Sequence, residues 1–177
     1  GETPPAFDLL YWNGDGANLP AKMAMQYLRG LCQSNELAEG GYDLCGHHLV
    51  LEDVDIPLCA VACETDHIAP WKDSYRGVQK MGSKDKTFIM TQSGHIAGIV
   101  NPPSKGKYGH YTNPDLKLEY EDWLAGADFT EGSWWPRWEK WLDRRSGEMI
   151  PARKPGDGGR EILCDAPGTY VAVKARG

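Results

Sequence analysis

The chain has 177 residues, 41% of them hydrophobic, which is enough apolar material for one domain with a real core. Nineteen basic against 25 acidic residues give a net charge of −6, and with no dense basic patch a nucleic-acid partner is excluded. No apolar run approaches the about 18 residues of a spanning helix and no charged-apolar-small pattern opens the chain, so neither a membrane span nor a signal peptide is expected.

Residues 7–16, F-D-L-L-Y-W-N-G-D-G, start apolar and close on turn chemistry. Leu19-Pro20 then opens a helix whose apolar positions Met23, Tyr27, Leu28 and Leu31 follow helical spacing and which ends near Asn35. Residues 42–51 read as a hairpin turning at Gly46-His47. His47 and His48 are adjacent, so on a strand they face opposite ways. With no carboxylate or thiolate at ligand spacing they are expected to be solvated, and no metal site is assigned. The five cysteines (32, 45, 59, 63 and 164) are odd in number and lack C-x-x-C spacing, which reads as buried thiols in a reducing cytoplasm rather than a disulfide framework.

Residues 57–63 (P-L-C-A-V-A-C) form a near-continuous apolar run, as a strand buried on both faces does, and end in E-T-D-H-I-A-P-W. Residues 72–81 follow as a crossover helix whose Trp71, Tyr75 and Val78 make the buried stripe. A second apolar run, 87–91, stops at Gln92-Ser93-Gly94, and His95 stands at its mouth between Gly94 and Gly98. Right-handed crossover geometry makes the two strands parallel neighbours, so Asp66 and His95 can meet across 29 positions. Asp followed by His at successive strand ends is the triad order of α/β-hydrolases, whose nucleophile comes earlier. His95 is then a general base near neutral pH, or else a histidine capping a turn.

Residues 104–113 read as a loop. Lys105 and Lys107 in it could meet the phosphates of an anionic ligand or simply be solvated. Trp134, Trp135, Trp138 and Trp141 fall on a helix that Ser133 can cap, with Trp135, Trp138 and Leu142 on one face as core packing. From Pro151 the Pro, Gly and charged composition predicts an extended arm. A triad also needs a nucleophile in a G-x-[SC]-x-G elbow, and no such pentapeptide occurs. Cys63 comes nearest, but Glu64 beside it is not small.

The segments D-L-L-Y-W-N-G-D (8–15), D-H-I-A-P-W (66–71), S-G-H-I-A-G-I-V-N-P-P (93–103) and G-S-W-W-P-R-W (132–138) together resemble the C-terminal part of a class I polyhydroxyalkanoate synthase, from Phe7 to Lys174. The resemblance implies the C-terminal portion of an α/β-hydrolase-like, mostly parallel sheet (residues 42–150). Part of a helical cap (1–41) would precede it and an extended arm (151–177) would follow. It implies catalytic roles for Asp66 and His95, with a weaker expectation of substrate contact for His67 beside them, whose alternative is a plain pocket wall. It further implies a hydroxyacyl-coenzyme A substrate, a growing polyester chain, a homodimer, a place at the surface of cytoplasmic polymer granules, and no cofactor. The catalytic cysteine would lie in an N-terminal remainder of the same protein, an expectation that the missing initiator methionine at Gly1 also suggests. This chain alone would then be inactive. Two other readings stay open: a serine-type polyester hydrolase or depolymerase of the same fold, and a non-catalytic granule-binding module using the tryptophan helix.

Overall fold

Pro20 fixes the entry to the first helix, α1 (Ala21–Gln26), through the φ of its ring, and the helix runs on as a π-helical stretch over Tyr27–Gln33. The structure is a computed structural model that describes residues 16, 18–169 and 172–173. The motif at 8–15 therefore lies outside the described residues. The chain divides into two units, Gly1–Tyr27 with Glu148–Gly177, and Leu28–Gly147. In the first, the described part after Pro151 carries turns and exposed residues up to Thr169.

In the second unit the π-helical stretch is followed by the short helix α2 (Glu36–Glu39) and a hairpin of β1 (Tyr42–Leu44) and β2 (His47–Leu49). Its turn is Cys45-Gly46 and not Gly46-His47. A two-residue turn between right-twisted strands needs positive φ at both centres, and Cys45 (50°) and Gly46 (82°) supply them, which leaves His47 in β2 opposite Leu44. The same register sets Asp43 opposite His48. The imidazole Nδ1 meets the carboxylate at 2.8 Å, so the expectation of no carboxylate within reach of these histidines fails. That hydrogen bond raises the His48 pKa. Among the described residues no group of three or more potential metal ligands assembles.

Next come β3 (Leu58–Cys63), α3 (Trp71–Lys80), β4 (Lys86–Thr91), β5 (His110–Thr112), α4 (Tyr120–Ala125), β6 (Asp128–Thr130) and α5 (Trp135–Asp143). The four strands form one sheet in the order β3-β4-β5-β6. β3 and β4 are parallel, Leu58 opposite Lys86 through to Cys63 opposite Thr91, as the two apolar runs predict. β5 and β6 add antiparallel pairs, so the sheet is mixed where a mostly parallel one was expected. β5 lies inside the stretch read as loop. Three residues between glycine-rich segments give almost no periodicity, and the strand exists because the free edge of β4 can pair with it.

Alternation along the strands sends Ala62, Phe88 and Met90 to the face that α3 covers. There Trp71, Tyr75 and Val78, the stripe read from the sequence, are buried together with Trp123 of α4. Tyr75, Phe88 and Trp123 contact one another at centroid distances of 5.2–5.5 Å, each such pair adding about 0.5–1.5 kcal/mol beyond its buried area. Lys86 at the start of β4 donates to the carbonyls of Val78, Gln79 and Met81, closing the C-terminal end of α3.

The tryptophan helix packs differently from its expected stripe. Trp134, just before α5, is the buried ring, Trp135 is half-buried and Trp138 is exposed, because the indole N–H groups of the first two reach polar acceptors that a helical-spacing argument does not see. Ser133 does receive the Trp135 N–H, at 3.1 Å. Nor are the cysteines uniformly buried. Cys63 is buried and Cys59 half-buried, whereas Cys32, Cys45 and Cys164, on short or irregular elements, are exposed and unbridged. No helix among the described residues is long and apolar enough to cross a membrane.

Candidate active site

The parallel ladder does not stop where β3 and β4 end. Glu64 N–H donates to the Thr91 carbonyl at 2.8 Å and Thr65 N–H to that of Ser93 at 3.1 Å, so the two loops leaving the strands are held to each other for two further residues. Beyond this zipper Asp66 Oδ2 accepts a hydrogen bond from His95 Nδ1 at 2.8 Å. The structure thus brings together the two residues that the strand ends single out. His67, exposed on the same loop as Asp66, flanks the pair.

Asp66 is fixed before the histidine arrives. Its Oδ1 accepts the N–H groups of Ile68 and Ala69, both at 2.9 Å, a local turn that leads into Pro70 and α3. The Ala69 bond is the largest cause that lowers its pKa, to about 2, against an opposing desolvation, with His95 and Ile68 adding to the shift. Asp66 is therefore a carboxylate at neutral pH and can only accept. The proton between the two groups therefore sits on His95 Nδ1, and in the neutral form of the imidazole Nε2 then carries the lone pair. Exposure is divided accordingly: 7% for the Asp66 side chain and 47% for that of His95. A neutral imidazole held in one tautomer with its second nitrogen free can take a proton from a thiol or hydroxyl that approaches it.

His95 sits in a helical turn, with Gly98 N–H bonded to the Gly94 carbonyl (3.0 Å) and Val100 N–H to that of Ile96 (2.8 Å). The turn lies directly on the end of β3. A β-carbon at Gly98 would stand 2.7 Å from Cys63 Sγ and 2.8 Å from the Gln92 carbonyl oxygen, so only glycine permits this approach. Around the dyad Ile68, Ile96 and Val100 expose apolar surface on the same two loops. Two clefts of the second unit are lined by neither Asp66 nor His95. Lys105 and Lys107 are exposed on the loop that follows, where Asn101 Nδ2 donates to the Lys107 carbonyl.

Cys63, three residues before Asp66, is favoured as the thiol. Burial first, and then the charge of Asp66, push the Cys63 pKa up, and its thiol is covered by the Gly98 turn. Burial raises Cys59 likewise. The residues that sequence reasoning missed are those that hold the turn: Thr91, Gln92, Trp134 and Trp135. Only the run of adjacent tryptophans signals them, and it equally well describes a packed helix.

No family model matches the chain. It is 43% identical over 175 residues to the poly(3-hydroxyalkanoate) polymerase subunit PhaC of Rhizobium meliloti, covering 99% of this chain and 28% of that protein. To the poly(3-hydroxyalkanoate) polymerase of Methylorubrum extorquens it is 45% identical, covering 99% of this chain and 29% of that protein. With the poly(3-hydroxyalkanoate) polymerase subunit PhaC of Cupriavidus necator the identity is 41%, over 99% of this chain and 30% of the relative. The chain thus spans less than a third of the length of the curated relatives it matches.

Proposed function

Because this chain belongs over nearly its whole length to the poly(3-hydroxyalkanoate) polymerase family, we propose that it supplies the acid–base half of an acyltransferase that builds polyester from (R)-3-hydroxyacyl-coenzyme A. The 2.8 Å bond between His95 Nδ1 and the Asp66 carboxylate carries this reading. In the proposed reaction His95 Nε2 takes the proton of a cysteine thiol contributed from outside this chain. The thiolate attacks the thioester carbonyl, and the tetrahedral intermediate expels coenzyme A, whose sulfur takes the proton back from His95. In elongation Nε2 deprotonates the 3-hydroxyl that attacks the next acyl thioester; the new C–O ester bond replaces the C–S bond, and the expelled thiolate takes the proton back from Nε2. Asp66 holds the tautomer and offsets the imidazolium that forms twice in each cycle.

The raised pKa of both half-buried and buried strand cysteines supports a nucleophile outside the chain. Among the described residues β3 is an edge strand, and this supports it too, since such an edge is where the remainder of an α/β-hydrolase-like sheet would join. With that remainder the assembly is a class I enzyme, C-terminal in the part seen here, working as a homodimer on cytoplasmic polymer granules, with His67 against the substrate. The 177-residue chain alone is inactive.

The test is coenzyme A release from 3-hydroxybutyryl-coenzyme A by a full-length polymerase carrying this chain. His95→Ala is expected to abolish turnover. A variant that keeps near wild-type rates overturns the assignment of His95 as the base.

A further inference from the structure

We infer that Trp134 and Trp135 are positioning residues that hold the His95 turn in register with Asp66 through their indole N–H groups. The inference rests on the reading of His95 as the base. Trp134 Nε1 donates to the Gly98 carbonyl at 3.1 Å and Trp135 Nε1 to the Ile99 carbonyl at 2.9 Å. These two carbonyls belong to the C-terminal end of the turn that begins at Gly94, and their helical i+4 partners are Pro102 and Pro103, which have no N–H to give. The remaining acceptor capacity is used as well: Gly98 also receives Thr91 Oγ1 at 3.3 Å, and Ile99 also receives the Asn101 N–H at 3.0 Å.

The clamp is anchored at its own base. Trp134 is more than nine-tenths buried, so its N–H has to be satisfied inside the protein. Just before it, the Gly132 carbonyl accepts His110 Nδ1 of β5 at 3.1 Å, and just after it Arg137 Nε donates to His110 Nε2 at 3.3 Å. At the far end of α5, Arg145 pairs with Asp85, next to the start of β4. The helix is thereby tied to the sheet at both ends, and its two indoles press the His95 turn against β3 and β4. Asp66 is fixed by its own loop, so the relative position of the pair depends on what fixes His95. Among the described residues, the other side-chain tie from the sheet to that turn is the Thr91 hydroxyl on the Gly98 carbonyl.

Two replacements at Trp134 separate the hydrogen bond from the ring. Phenylalanine (Trp134→Phe) loses the N–H and part of the volume; 3-benzothienylalanine keeps the two fused rings and loses only the N–H. Each is made in a full-length polymerase for kinetics and in the 177-residue chain for NMR, alongside Trp135→Phe and the double Phe variant. The expected result is that kcat falls by about tenfold for a single loss and about a hundredfold for the pair, with KM within about twofold. The low-field resonance of the His95 Nδ1 proton should weaken in step, while the benzothienyl variant unfolds at the wild-type midpoint. Unchanged kcat, or a loss that follows ring volume and spares the benzothienyl variant, overturns the clamp. If instead His95→Ala is active, the base assignment fails, and the Nδ1 resonance still reports whether the indoles set the imidazole.

Discussion

Replacing Gly98 by alanine places a methyl group where the His95 turn touches the end of β3, and the structure states how far the turn must yield. The new carbon would lie 2.7 Å from Cys63 Sγ, 2.8 Å from the Gln92 carbonyl oxygen and 3.0 Å from Thr91 Cγ2. Gln92 cannot retreat, because its N–H and its side-chain Oε1 are both bonded to Gly109, just before β5, at 2.9 and 2.8 Å. Ordinary contact begins near 3.4 Å, so the turn itself must back away by about 0.6 Å. A displacement of about 1 Å at a reacting group costs on the order of a hundredfold, so we expect kcat to drop by about tenfold in a full-length polymerase. Overpacking should also lower the stability of the chain by about 1–3 kcal/mol, measured by urea unfolding. Adding Cys63→Ala removes the sulfur but leaves the Gln92 backbone, so the double variant should recover only part of both losses. Wild-type activity and stability in Gly98→Ala would refute the claim that this contact sets the position of His95.

Lys86→Met removes the ammonium that caps three carbonyls at the end of α3. A cation bonded to helix C-terminal carbonyls in a partly buried site is worth about 2 kcal/mol, so the urea midpoint should fall by that equivalent at unchanged slope; a change under about 0.5 kcal/mol would mean that water replaces the cap. Stability should also depend on pH through His110, whose burial lowers its pKa below the ordinary 6.5. Below pH 6.5 the unfolded chain binds the His110 proton more readily than the folded one, so the stabilisation present above that value is lost as pH falls. His110→Gln should flatten the slope between pH 7 and 5, with the opposing effect of His48 common to both proteins, and an identical slope would refute it. A second acid loss, from Asp66, belongs between pH 3.8 and about 2.

The parallel pair and its crossover helix were legible because both strands are apolar runs bounded by turn residues, and because Trp71, Tyr75 and Val78 repeat at helical spacing. That much suffices to bring two strand ends together, and Asp66 and His95 stand one at each. β5 and β6 were not legible, being three residues each and held by pairing rather than by pattern. Burial in the tryptophan helix was misjudged for a related reason. Helical spacing treats an indole as apolar volume, whereas Trp134 and Trp135 are oriented by where their N–H groups find carbonyls. The tie between Gly98 and Cys63 is invisible in sequence, since only the fold brings the turn onto β3.

In the proposed mechanism the Asp66 carboxylate fixes the proton of His95 on Nδ1 and so frees Nε2 as the base. Asp66→Asn tests it most directly, because the amide oxygen can still accept from Ile68 and Ala69 while an NH₂ replaces the oxygen that faces His95. Donor then opposes donor, the imidazole must turn its lone pair to Nδ1, and Nε2 carries a proton it cannot use. In a full-length polymerase carrying this chain, coenzyme A release should fall by about ten-thousandfold with the fold intact. A rate within about tenfold of wild type would mean that Asp66 does not set the tautomer the reaction uses.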